Sequence, residues 1–227
     1  MLLKKHIQLT SLAFLFLGFI ILTVNASMIS FMSFSHLPSL FSQASAQAFC
    51  ALRHPHKAQQ KLFPHSTHLQ TFTNKVTHKH RDAIQDKLSF SIHVNELGLH
   101  TLYAVFKQDK HIGFIHVRSE KGEWGLIEIA WALTPDLRIK DFVFQRCRES
   151  ARLEMTSDRF KTHIYNLNFR QLKNMLHASD HTLKRPFDQI SSEGQKLAVR
   201  MIHSALKTIA VTREVWPTML KPLSSSK

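Results

Sequence analysis

Apolar residues along the chain follow three rhythms. Residues 7–24 run eighteen positions without a charge (IQLTSLAFLFLGFIILTV). Between Leu88 and Gln145 the period shortens. Phe90, Ile92 and Val94 alternate with Ser91 and His93, and β-rich runs follow at 101–107, 111–118, 124–133 and 137–145. Short runs of this kind, bounded by turn residues, are strand signals. The links Gln108-Asp109-Lys110, residues 120–123 and Thr134-Pro135-Asp136 are too short for parallel crossovers, so they imply antiparallel hairpins and a meander of four or five strands. Helical spacing then takes over. Residues 158–166 and 169–178 are short helix candidates. Leu197, Met201, Ile202, Ala205, Leu206 and Ile209 lie on one face of a longer helix that Ser191 or Ser192 can cap, with Gln195 at the capping-box spacing from Ser192 and Pro217 at the end. The expected fold class is α+β: an antiparallel β-meander followed by helices, preceded by one N-terminal transmembrane or signal helix.

The uncharged run follows Lys4 and Lys5. It is longer than a secretory h-region and close to the roughly 20 residues that span a bilayer. The two lysines favour a cytoplasmic N-terminus. The expectation is an inner-membrane, single-pass protein with its C-terminal domain in the periplasm. Secretion to the periplasm after signal cleavage, with Ala26 or 44–48 as the small-residue site, is the alternative. The chain then divides into an anchor at 1–52, a basic His-rich juxtamembrane segment at 53–87, a folded domain at 88–216 and a tail at 217–227.

Charge sharpens this division. The 227 residues carry 30 Lys and Arg against 16 Asp and Glu, a formal +14. The first acidic residue is Asp82, and residues 1–81 hold eight Lys and Arg. Such asymmetry points to an anionic partner near the N-terminal end, and beside an export signal that partner is a membrane surface rather than nucleic acid. His54, His56, His65, His68, His78 and His80 fall in the same stretch. Imidazoles suit zinc, copper or haem iron, so a His-dependent metal or haem carrier is one reading and a solvated basic linker is the other. There is no G-x-S-x-G and no H-E-x-x-H, so no residue is assigned a catalytic role. Cys147 lies between Arg146 and Arg148, cations expected to lower a thiol pKa, and a disulfide with Cys50 is conceivable in an oxidising compartment.

Several short motifs lie in a recognisable order. They are Leu62-Phe63-Pro64, a hairpin with Gly113 just past its turn, Gly122-Glu123-Trp124-Gly125, Glu149-Ser150, and Asp188-Gln189-Ile190-Ser191 at the start of the last helix. In this layout residues 61–211 resemble the FMN-binding domain family, the exported domain of membrane subunits in Rnf and sodium-pumping NADH:quinone reductase complexes. The family's flavin signature reads Ser/Thr-Gly-Ala-Thr, and its final Thr carries FMN as a phosphoester. This chain reads Ser191-Ser192-Glu193-Gly194, and Gly194 has no hydroxyl to esterify. The resemblance therefore implies noncovalent FMN, or a flavin lost, in a protein of electron transfer or its regulation within a membrane redox complex. Trp124, Glu149, Ser150, Ser191, Ser192 and Lys196 are the candidate cofactor-binding residues. Trp124 is placed to stack on a flavin ring. The helix start, with Lys196 one turn inside and Lys184 and Arg185 just before, is the candidate phosphate site. The alternative is a non-enzymatic scaffold or interaction domain of a membrane complex.

Overall fold

A computed structural model describes residues 54–220. The uncharged run at 7–24, Cys50 and the last residues of the tail lie outside the described residues. No helix among the described residues is long and apolar enough to cross a membrane.

Five antiparallel strands form one sheet in sequence order: β1 His68–Val76, β2 Gly98–Lys107, β3 Lys110–Lys121, β4 Leu126–Leu133 and β5 Ile139–Arg146. Among the described residues six α-helices accompany them: α1 His56–Leu62, α2 His78–Gln85, α3 Arg152–Thr156, α4 Asp158–Ile164, α5 Phe169–Asn174 and α6 Ser192–Val215. The antiparallel sheet and its helices bear out the α+β expectation. Four of the expected strands are present with shifted ends.

Residues 89–94, read as a strand, do not pair. Ser89 takes a positive φ of 26°, and the segment crosses the core irregularly to bury Leu88 and Ile92. The outer edge of β2 is already filled by β1, from His68↔Phe106 to Val76↔Gly98, so no partner remains for it. The stretch read as a solvated linker is folded. It supplies α1, β1 and α2, with Thr77 and His80 closing a capping box at the start of α2.

Strand alternation divides the apolar residues between two faces. Leu102, Ala104, Phe114, Ile127, Ile129 and Trp131 face α6 and the shorter helices, and form the larger core. Tyr103, Val105, Ile115, Val117, Ala130 and Ala132 face the other way, onto Ala58 and Leu62 of α1 and the following Phe63. The six apolar positions predicted for α6 are all buried. Ser191 caps this helix, its Oγ accepting the Gly194 N–H at 3.0 Å. Gln195 makes no capping box. Its side chain instead holds the preceding loop, through Phe187 N–H and the carbonyls of Phe187 and Ile190.

Candidate functional site

One end of the sheet gathers part of the expected site. The β3–β4 turn passes over Glu149, whose Oε1 accepts the backbone N–H of Glu123 at 2.9 Å and of Trp124 at 3.1 Å. Its Oε2 accepts from Arg200 Nη1 of α6 at 3.4 Å. Gly122 is required there, because a Cβ would collide with Glu149 Oε1. Glu149 is buried and fully engaged in fixing this turn. It holds Trp124 outward, 63% exposed. Ser150 is exposed beside it. Leu153, on α3 just beyond, is 77% exposed. Lys196 pairs with Glu193 at 2.8 Å, and that carboxylate raises its pKa. The structure thus brings Trp124, Glu149, Arg200 and the first turns of α6 to one end.

The start of α6 already holds an anion. Glu154 of α3 accepts the Ser191 backbone N–H at 2.9 Å through Oε2, and the Ser191 hydroxyl at 2.7 Å through Oε1. These two hydrogen bonds hold its carboxyl pKa below the usual range. The carboxylate sits in the partial positive field of the helix start, where a phosphate would otherwise go. Gly194 makes the approach possible. A Cβ there would stand 2.5 Å from both Glu154 Oε2 and Ile190 Cγ2. Ser191 spends its hydroxyl on Glu154 and its oxygen on the cap. Ser192 is exposed, with Glu193 next to it. Lys184 and Arg185 line a separate cleft with His163, Met175 and Phe187. A flavin phosphate at this helix start would meet the charge of Glu154, so the residues present do not fit it.

A second constellation, which sequence reasoning missed, lies under α6. Glu96 stands in a short 3-10 turn, Val94–Glu96, before β2. It pairs with Arg118 of β3 and with Lys207 of α6, the latter at 2.9 Å. Lys207 also binds Glu120 at 2.9 Å. Burial works against the charge of Glu96, but Arg118 and Lys207 together hold its pKa down. Burial raises that of Glu120 despite Lys207. Beside them, His100 Nε2 lies 2.7 Å from the Glu96 carbonyl and His116 Nδ1 lies 3.0 Å from Thr212 Oγ1. Burial depresses both imidazoles, His100 to about 4, so both are neutral at pH 7. Two cations balance two carboxylates, and the network ties turn, sheet and helix together. Its signal in sequence is the run of His116, Arg118 and Glu120 at every second position of β3, with Lys207 set in the apolar stripe of α6.

The His-rich stretch is dispersed by its own folding. His54 packs edge-on against Tyr103, His68 stacks on Phe106 and His80 caps α2. Among the described residues no group of three or more His, Cys, Asp or Glu side chains is placed to hold a metal ion. Cys147 also departs from expectation. Burial raises its thiol pKa, and Glu149 adds to the rise against a backbone hydrogen bond and Arg152. The chain has no significant match among family models, curated proteins or solved structures, so its reading rests on its own residues.

Proposed function

We propose that this chain is a non-enzymatic interaction domain of a membrane complex, one that keeps the layout of an FMN-binding domain without its flavin. What carries this reading is Glu154. Its carboxylate takes the Ser191 N–H and hydroxyl at the start of α6, in the place a flavin phosphate would need. Gly194, at the position of the flavin acceptor, serves that contact. Glu149 likewise anchors a turn rather than presenting a free carboxylate.

The interaction surface in this reading is the end of the sheet where Trp124, on the turn that Glu149 fixes, and Leu153 of α3 stand exposed. Large exposed apolar side chains, one on a turn fixed by Glu149 and one on a helix, are what partner proteins bury at interfaces. The uncharged run at 7–24 would tether the domain to the exported face of a membrane, beside its partner.

The test is the absorption spectrum of the full chain, purified in detergent with FMN supplied and repeated after acid precipitation. A colourless protein supports the interaction domain. Flavin that leaves with the supernatant would overturn it in favour of noncovalent electron transfer. Flavin retained on the precipitate would make a serine of the Ser191-Ser192 pair the acceptor.

A further inference from the structure

We propose that the cleft between the β4–β5 turn, the start of α5 and the last turn of α6 is a binding site for a phosphate-bearing anion. It lies at the opposite end of α6 from Ser192. Twenty-one residues separate Ser192 from Arg213, about 32 Å at the rise of an α-helix. The site is thus distinct from the Trp124 surface and does not depend on the reading given to it.

Three arginines from three elements line this cleft of about 480 Å³: Arg138 after the β4–β5 turn, Arg170 of α5 and Arg213 of α6. Two of them are held in place. Arg138 donates from Nε to Asp136 at 2.8 Å and from Nη1 to the Asn166 carbonyl at 3.1 Å. Arg213 lies over the Phe169 ring, 5.9 Å from its centroid. Asn168 completes the lining. Its Oδ1 accepts the Gln171 N–H at 3.0 Å, which leaves its NH2 group as a donor.

The charge balance is uneven. Asp136 is the one carboxylate in the lining, and Thr134 and Arg138 already engage it. Glu214, next to Arg213, is turned to Lys87. Among the described residues neither Arg170 nor Arg213 has a salt-bridge partner. Gathering three guanidiniums about one acid costs repulsion that a bound anion offsets. Planar guanidinium forks suit phosphate oxygens, and a tetrahedral phosphate has oxygens enough to be shared among three of them. The cleft is larger than inorganic phosphate requires, leaving room for an organic group on the ester. That group would be either a soluble metabolite or a lipid headgroup.

The test is calorimetric titration of the detergent-solubilised full chain. One arm uses inorganic pyrophosphate, the other dihexanoyl phosphatidylglycerol below its micellar concentration. Three proteins are compared: wild type, R170Q/R213Q, and K57Q, which removes a charge from exposed Lys57 of α1 on the other face of the sheet. Thermal unfolding checks that each is folded. The expected result is saturable binding in one arm or both, weakened at least tenfold in R170Q/R213Q and unchanged in K57Q. Binding of pyrophosphate alone identifies a soluble phosphate, and binding of the lipid alone identifies a headgroup. Failure of both probes to bind overturns the proposal. So does weakening in K57Q in proportion to its one lost charge against the two lost in R170Q/R213Q, since the effect would then belong to net charge.

Discussion

Lys207 Nζ stands 2.9 Å from Glu96 Oε1, joining a turn before β2 to a helix 111 residues later. Both groups are buried, so their attraction is little screened, but neither tolerates the loss of the other. Lys207→Met should lower unfolding free energy at pH 7 by about 3 kcal/mol, a typical cost of breaking a buried pair. Lys207→Arg should recover part of it. Urea denaturation of the variants checks this. A loss under about 0.5 kcal/mol, the range of an exposed pair, would show the network to be solvated.

Two buried imidazoles and a half-buried one set a pH dependence. His100 and His203 are pushed down to about 4, and His116 is held well below its ordinary value, with burial the largest cause in each. A histidine of depressed pKa binds its proton more readily in the unfolded chain. Its contribution to stability is therefore fully present above about pH 6.5 and falls as pH drops toward 4. Each such group gives a slope of about 1.4 kcal/mol per pH unit within that window. Glu96, with a lowered pKa, acts in the same direction at still lower pH, and Glu120, with a raised one, acts against it. Unfolding free energy measured between pH 7.5 and about 4.5 should fall steadily. His203→Gln should flatten the slope. A profile flat across the window would mean these rings stay accessible to protons when folded.

At the start of α6, restoring a side chain should be costly. Gly194→Thr places a Cβ 2.5 Å from Glu154 Oε2 and Ile190 Cγ2. Overpacking of this kind costs about 1–3 kcal/mol. The cost should shrink in a Glu154→Ala background, because half of the clash is then gone. A double-mutant cycle by thermal unfolding measures that coupling. Strict additivity would mean that Gly194 is not there for Glu154.

Cys147 should be a sluggish nucleophile. Its thiol is half-buried and its pKa is raised by that burial. Alkylation by iodoacetamide at pH 7 should run slower than that of glutathione, and its rate should still be climbing with pH where that of glutathione has levelled off, since the thiolate is the attacking species. A rate above that of glutathione would restore the effect first expected of Arg146 and Arg148.

The meander was legible because four of its strands bury both faces or alternate between them, and their turns are short. α6 was legible for a similar reason, its apolar stripe repeating over three turns. β1 was not. It is an edge strand whose residues are mostly exposed, so HLQTFTNKV gives little hydrophobic contrast. Phe90 and Ile92 misled in the opposite sense, since alternation reports burial and not pairing. The Glu154–Ser191 contact was out of reach, because it links residues 37 positions apart and depends on the missing side chain of Gly194. The pKa expected for Cys147 failed for a related reason. Flanking cations can be read in a sequence, and burial cannot.

The strand order β1 to β5 carries a consequence for assembly. Each strand pairs with the one made just before it, so a chain delivered N-terminus first can lay down its sheet one hairpin at a time. The helix that seals the core comes last, and with it comes Lys207. Until α6 arrives, Glu96 in its turn and Glu120 on β3 have Arg118 as the one cation of the four in place. The final helix therefore completes the charge balance as it excludes water. A chain stopped short of that helix would be left with two carboxylates to one guanidinium amid bare apolar strands.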